Sequence, residues 1–489
     1  MGPMRWGGWR LTSSVKSGGS SFAAPNVVNP AIVQMVASST NIFGVQGQAG
    51  SNFKFTLPNT NGASNCVALC MSYPNGTTIT ITDGLGNTWP ASATKAADAG
   101  AGLNVGSIWI LPNANGGVST YHVACSPAAI PFQYVIIELC GIDANPVNST
   151  SAGTASVTGP NLTTGSFTPD NNDATGGNFI LAYYALSSGS SSAGRPTSFV
   201  AGGPFTLLEA DTWTGVQSFP QAAQYFLQTS HAAINPGMTA TGDSADAFNC
   251  VAVALKVNKN NGIPKPAAGS GKIWIDRIYH FSTTGSPNAT WTVQAPRTGN
   301  LCLLHGHNTW TSVTDSDGGS WTKRGSAGSS AIWESVNKSP SPDYTLTIST
   351  GGDSGGGFSF RLLDISNAAA SPFEVFASAV SATLSLGTTV VNDLPDITPL
   401  TAPALPNLVI AAGFMGIGPC TGFNIGAPAN AVFDLCTYPE ETDGSSMENA
   451  DILAHVLVTS TTPLTWNWTI KSQPGGTGAD CCAAVYKHA

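Results

Sequence analysis

Two acids lie within otherwise apolar runs, where a charged residue is unexpected. Such acids are candidates for chemistry because glycoside hydrolysis requires a pair of carboxylates. Glu138 is the fifth residue of the run YVIIEL, and Asp364 follows FRLL. A second acidic group, Glu440, Glu441 and Asp443, has the composition of a solvated loop. Carboxylates pair only in space, so a catalytic pair stays open. The more common role of an acid in a buried strand is to accept hydrogen bonds that hold a loop.

The segment Gly352–Gly356 reads GDSGG, which matches the nucleophile motif of chymotrypsin-like serine proteases. That chemistry needs an upstream histidine and aspartate in the same unit. His280, His305 and His307 precede it, but none lies in the Ala-Ala-His-Cys context of that family. We therefore interpret the segment as a glycine-rich turn, and we assign no catalytic residue.

Two motifs have residue types that can bind metal ions. His305 and His307 would share one face of a strand, yet no third ligand is identifiable. Asp315 and Asp317 resemble part of a calcium loop, but Leu85 stands at the corresponding place of a second, similar motif. We expect neither a metal nor a cofactor.

Two tryptophans in turn-rich segments, Trp213 and Trp310, are candidates for stacking on sugars, with core packing as the alternative.

Composition narrows the functional classes. Only 9% of the 489 residues are charged, against about 25% in ordinary soluble domains. The net charge is −9 and no basic stripe exists, so a nucleic-acid groove is not expected. No apolar stretch reaches 18 residues, so we expect no membrane-spanning helix. The ten cysteines include no C-x-x-C pair, and we expect most of them to be reduced and buried.

A long internal repeat organises the chain. Ile81–Trp89 (ITDGLGNTW) is matched by Val313–Trp321 (VTDSDGGSW), and Cys250–Lys256 (CVAVALK) by Cys481–Lys487 (CCAAVYK). An offset of well over 200 residues is that of a duplicated domain and exceeds any solenoid period. We therefore predict a first module at residues 25–257 and a second at 272–489.

The segments outside the modules have different compositions. Residues 258–271 (NKNNGIPKPAAGSG) have the polar, proline-containing composition of a linker. Residues 1–24 are rich in glycine and serine and carry no acid. We predict that they form an extended basic anchoring arm, either disordered or docked into a neighbouring subunit. Its candidate contact residues are Arg5, Trp6, Trp9 and Arg10.

Short β-branched and aromatic runs between glycine, proline and asparagine clusters predict an all-β fold. Their number suits two tandem jelly-roll-like β-sandwich domains. The repeated Asp-x-x-Gly element between strands predicts a turn. In it the aspartate accepts amide hydrogen bonds, the glycine takes positive φ, and the tryptophan begins the next strand. These structural turn residues are Asp83, Gly86 and Trp89 in the first copy and Asp315, Gly318 and Trp321 in the second.

The succession of ITDGLGNTW, SIWIL, YVIIELCGID and CVAVALKV, repeated as VTDSDGGSW, AIWES, FRLLDIS and CCAAVYK, resembles a β-rich module of phage virion proteins and bacterial surface proteins. The likeness covers nearly all of residues 25–489, although Gly319 replaces the asparagine of the pattern. The resemblance implies a non-enzymatic role, with copies of the chain and neighbouring virion proteins as partners.

Three functions stay open on this basis. The first is a virion structural protein, a head-decoration or fibre subunit assembled in the host cytoplasm. The second is a carbohydrate-binding adhesin or lectin-like protein, outside or on the surface of a cell, that binds host glycans. The third is a polysaccharide-degrading enzyme. For the first we expect no nucleic-acid and no membrane partner.

Overall fold

The fold is described from a computed structural model, and the regular secondary structure of the described residues consists of β-strands. No helix occurs among the residues it describes, so the predicted all-β class is confirmed for them. The described residues are 30–38, 50–90, 94–97, 104–129, 133–147, 152–171, 176–188, 196–211, 220–242, 246–267, 270–283, 288–294, 296, 299–307, 310–328, 330–336, 343–349, 358–381, 389–393, 407–416, 420–427, 432–435, 450–458, 467–472 and 478–489.

Among the described residues, sixteen strands precede the linker segment. They are β1 (Ala31–Ser38), β2 (Gly50–Thr56), β3 (Cys66–Pro74), β4 (Thr78–Asp83), β5 (Thr94–Ala97), β6 (Asn104–Leu111), β7 (Thr120–Ala129), β8 (Gln133–Cys140), β9 (Ala152–Thr158), β10 (Asn161–Thr163), β11 (Asn178–Ser188), β12 (Ser198–Ala201), β13 (Thr206–Asp211), β14 (Gln221–Gln228), β15 (Gly237–Thr241) and β16 (Ala247–Lys256).

In the part of the chain after the linker that the structure describes, there are sixteen more strands. They are β17 (Trp274–Thr283), β18 (Asn288–Gln294), β19 (Leu301–His307), β20 (Ser312–Asp315), β21 (Thr322–Ala327), β22 (Ser330–Ser335), β23 (Asp343–Ser349), β24 (Phe358–Ser366), β25 (Ala368–Ser381), β26 (Thr389–Asp393), β27 (Asn407–Gly416), β28 (Cys420–Ala427), β29 (Val432–Leu435), β30 (Ala450–Val458), β31 (Asn467–Ser472) and β32 (Gly478–His488).

A ten-stranded sheet, here the central sheet, joins the two halves of the chain. Its order is β21-β22-β19-β24-β17-β1-β8-β3-β6-β5. β1 and β17 meet in its middle as a parallel pair, with Met35 opposite Arg277 and Val36 opposite Ile278. An eight-stranded sheet also crosses between the halves, in the order β20-β23-β18-β13-β14-β11-β16-β9. The remaining sheets are β25-β32-β27-β30-β29, β2-β7-β4, β10-β15-β12 and β26-β31-β28.

The strand order repeats along the chain. Every strand from β1 to β16 takes the same place among its neighbours as the strand numbered sixteen higher. For example, β5-β6-β3-β8-β1 corresponds to β21-β22-β19-β24-β17, and β10-β15-β12 corresponds to β26-β31-β28. That the two halves of the chain share sheets was not expected from the sequence. The shared sheets arise because β1 pairs with β17 and β13 pairs with β18.

The core occupies both faces of the central sheet. Along β3, Val67, Leu69 and Met71 belong to one hydrophobic cluster. The alternating residues Cys66, Ala68 and Cys70 belong to another. Side chains alternate between the faces of a strand, so a strand covered on both sides reads as a continuous apolar run. The sequence CVALC is such a run.

Candidate functional site

A cleft of about 360 Å³ opens where the linker segment passes the first half of the chain. The loop before β3 forms one wall, and Ile263, Pro264, Pro266, Ser270 and Lys272 form much of the other. Its lining residues are Val33, Thr60, Gly62, Glu138, Ile263, Pro264, Pro266, Ser270, Lys272 and Trp274. Of these residues, only Glu138 was a candidate from the sequence. The linker composition of residues 258–271 was the only sequence feature that marked the neighbourhood of the others.

The side chain of Asn65 holds the linker against the first half. Its Oδ1 accepts a hydrogen bond from the backbone N–H of Ile263 at 2.6 Å, and its Nδ2 donates to the Ile263 carbonyl at 2.9 Å. Gly262 has φ of +85°, and a Cβ there would overlap Oδ1 of Asn65. Glycine is therefore needed at position 262 both for its backbone conformation and for space.

Glu138 holds the other wall. Its carboxylate accepts hydrogen bonds from the side-chain amides of Gln34 and Asn65 and from the backbone N–H of Gly62 at 2.7 Å. Burial raises the pKa of Glu138, and these three hydrogen bonds oppose that rise. The carboxylate thus fastens the loop containing Gly62, which is the loop-holding role considered in the sequence analysis.

Asp364 takes the corresponding place in the second half, but on the other face of the central sheet. Strand alternation puts Glu138 on the face of Ile136 and Asp364 on the face of Leu362, and these two apolar residues belong to different clusters. The two acids therefore do not face a common cleft. They do not form the carboxylate pair that glycoside hydrolysis requires.

The partners of Asp364 form a buried polar cluster. Asn300 donates to Asp364 at 2.5 Å and to Asp276 at 3.1 Å, and the Arg277 guanidinium lies 3.7 Å from Asp364. Burial alone would lower the pKa of Arg277, but Tyr279, Asp364 and Asp276 raise it above its usual range. Lys265 of the linker donates to Asp276 at 2.6 Å. The linker is thereby bonded to both halves of the chain.

Trp274 begins β17 and is held in a fixed position at the cleft. Its indole N–H donates to the Val33 carbonyl at 3.3 Å. Its ring packs on Val33 and Cys140, which form a small buried cluster. The ring is half-buried, whereas Thr60, Ser270 and Lys272 are exposed. The cleft therefore combines an indole surface with two hydroxyls and an ammonium group.

The first Asp-x-x-Gly turn is a small hydrogen-bonded unit. Oδ1 of Asp83 accepts the backbone N–H groups of Leu85 and Asn87 at 2.9 and 3.1 Å. Its Oδ2 accepts the Asn87 side-chain amide at 2.7 Å. Gly86 has φ of +74°. Trp89 is buried and meets Tyr121 edge-to-face, with ring centroids 5.4 Å apart.

The second turn uses its aspartate differently. Oδ1 of Asp315 accepts the backbone N–H groups of Asp317 and Gly319 at 3.1 and 2.9 Å, and Gly318 has φ of +67°. Gly319 has no side chain to reach Oδ2, which instead accepts the Trp321 indole N–H at 2.8 Å and the Tyr344 hydroxyl at 2.9 Å. In both turns the carboxylate of the first aspartate closes the loop by accepting backbone N–H groups, which gives Asp83 and Asp315 a structural role.

The remaining predicted residues are placed as follows. Trp310 is 5% exposed and packs edge-to-face on Phe360, with ring centroids 5.9 Å apart. A Cβ at Gly306 would overlap the Trp310 ring, so the His-Gly-His motif makes room for that ring. Trp310 is therefore a core residue, and its burial prevents the sugar-stacking role considered for it.

Several predicted positions lie outside the described residues, namely Arg5, Trp6, Trp9, Arg10, Trp213, the segment 352–356 and the acidic run 440–443.

Within the described ranges, no group of three or more His, Cys, Asp or Glu side chains is arranged to hold a metal ion. No helix that could span a membrane occurs in the part of the chain that the structure describes. Seven of the ten cysteines are seen as buried free thiols, which are Cys66, Cys70, Cys125, Cys140, Cys250, Cys302 and Cys482.

Comparison with known proteins does not identify a family. No family model matches the chain, and no curated protein matches it.

Proposed function

We propose that this chain is a non-enzymatic structural subunit of a phage virion, of the head-decoration or fibre type. It would associate with copies of itself and with neighbouring virion proteins. The observation that carries the proposal is the ten-stranded sheet through which both halves form one body. A subunit that must keep its shape under load benefits from such a continuous hydrogen-bonded sheet.

The way the halves are joined supports this proposal. The linker is bonded to the first half through Asn65 and to the second through Lys265 and Asp276. Arg277 stands beside Asp364 in the buried cluster at the same junction. Separating the halves would expose these paired charges and two hydrophobic clusters to solvent together. Relative motion of the halves is therefore costly, as a scaffold requires.

We also propose that the chain arose by duplication of one module. The repeated strand order and the repeated motifs support two jelly-roll-like sandwiches that arose by duplication of one module. Residues 1–24 would be an anchoring arm that docks into a neighbouring subunit. Its tryptophans suit such a contact because large aromatic side chains dominate protein interfaces.

The surface chemistry also suits assembly. Only 9% of the residues are charged, so a face can be covered by a neighbour with little desolvation of ions. β12 forms one edge of the β10-β15-β12 sheet, and its Val200 is 56% exposed. An apolar side chain on an unpaired edge strand is a ready contact for another chain.

The test is the oligomeric state of the full chain and of a variant lacking residues 1–24, measured by light scattering after size exclusion. We expect the full chain to form a symmetric oligomer and the truncated chain to remain a folded monomer. The double variant Trp6→Ala/Trp9→Ala should reproduce the truncation, while Arg5→Ala/Arg10→Ala tests the charge of the arm. A full chain that stays monomeric up to high concentration would contradict the proposal.

The two other functions are adhesion through glycans, with the protein outside or on a cell, and polysaccharide degradation. Glu138 and Asp364 lie on opposite faces of the central sheet, so these two acids do not supply the carboxylate pair that degradation requires. The cleft beside Trp274 favours carbohydrate binding.

A further inference from the structure

We infer that the cleft between the linker and the first half binds a carboxylate-bearing pyranose, such as a uronic acid unit of an acidic glycan. The lining residues, the preformed walls and the local charge carry this inference. It concerns ligand binding and is independent of whether the chain assembles into a virion.

The lining has the two chemical characters that a sugar presents. Trp274, Ile263 and the two prolines supply apolar surface, and Ile263 is 52% exposed. Thr60, Ser270 and Lys272 are exposed polar groups in the same cleft. A pyranose ring has an apolar C–H face and a rim of hydroxyls, so it suits an aromatic surface beside a few hydrogen-bonding groups. A volume of about 360 Å³ lies at the lower end for small-ligand sites.

The walls are fixed before any ligand arrives. Asn65 bonds the linker backbone at Ile263, Glu138 bonds Gly62, and the Trp274 indole bonds Val33. Pro264 and Pro266 further restrict the linker. Fixed walls reduce the ordering entropy lost on binding, which allows a small ligand to be held.

The charges at the cleft select an anion. Glu138 is fully buried, and its carboxylate already accepts three hydrogen bonds. Lys265 is bonded to Asp276. Lys272 is the exposed cation among the lining residues. A ligand carboxylate beside Lys272 would gain a charge-assisted hydrogen bond that a neutral sugar does not have.

The experiment is titration of the full chain with glucuronic acid, glucose and acetate, followed by calorimetry and saturation-transfer NMR. We expect glucuronic acid to bind more tightly than glucose and acetate not to bind measurably. Lys272→Gln should weaken glucuronic acid binding by about two- to fivefold, the range for an exposed ion pair, and leave glucose unchanged. Lys323→Gln, which alters an exposed lysine on β21, is the matched control and should change neither.

Replacement of Trp274 tests the apolar part of the site. Trp274→Leu keeps an apolar side chain on Val33 and removes the ring, so we expect both sugars to lose binding. Equal binding of glucuronic acid and acetate would show that a bare charge is recognised and would overturn the sugar assignment. No binding of any probe, or full binding by both Lys272→Gln and Trp274→Leu, would overturn the site itself.

Discussion

Glu209 is a buried carboxyl at the seam between the halves, and its replacement by glutamine should make the protein more stable at alkaline pH. It lies on β13, opposite Ala223 of β14 and Val293 of β18, and only 1% of it is exposed. Burial raises its pKa from 4.5 to about 8, and the nearby Gln221 side chain opposes part of that rise. Burial also raises the pKa of Tyr279 on the central sheet to about 12, and the charge of Glu209 adds a smaller part of that rise.

The sign of the effect follows from proton linkage. The folded protein holds the Glu209 proton more tightly than the unfolded chain does. The free energy of unfolding therefore falls as pH rises from about 4.5 to about 8, and it is unaffected by this group outside that window. At 1.36 kcal/mol per pKa unit, the full cost is about 5 kcal/mol. Glu209→Gln has the same shape and no charge, so it should avoid this cost.

The assay is urea unfolding of the wild type and Glu209→Gln at pH 5 and pH 8.5. We expect the two proteins to differ little at pH 5, which serves as the internal control. Between the two pH values the variant should gain about 4 kcal/mol relative to the wild type. If both proteins lose the same stability over this range, Glu209 is not the buried titrating group and the reasoning fails.

Three further predictions concern the linker, the buried cluster and the thiols. Gly262→Ala should destabilise the fold by about 2 kcal/mol more than Gly76→Ala in urea unfolding, because both glycines have similar positive φ but only Gly262 would overlap Asn65. Arg277→Met should cost about 3–5 kcal/mol by thermal unfolding, and the added change Asp364→Leu should restore part of it, since it removes the stranded carboxylate. Without denaturant at pH 8, iodoacetamide should label at most three of the ten cysteines by mass spectrometry, because the seven described thiols are buried out of its reach. Labelling of all ten would contradict the packing described for them.

The sequence by itself determined the local structure. Alternating and continuous apolar runs predicted strands, and the described residues indeed form an all-β fold. The turn containing Asp83 and Gly86 could be anticipated because every hydrogen bond described for the Asp83 carboxylate comes from Leu85 or Asn87, which are close in sequence. The sequence also favoured a hydrogen-bonding role for Glu138 over a catalytic one, because a buried polar group in an apolar strand is normally hydrogen-bonded.

Only the tertiary structure decided how the halves are joined and where a ligand could bind. The pairing of β1 with β17 links residues more than 200 positions apart, and no local pattern specifies a partner at that distance. Neither the sequence around Trp274 (GKIWID) nor that around Trp310 (HNTWTS) tells which of the two tryptophans is buried. Gly306 makes room for Trp310 in the core, whereas Trp274 is left half-exposed at a cleft. The physical reason is that burial and concavity arise from packing between sheets, which a linear sequence pattern does not contain.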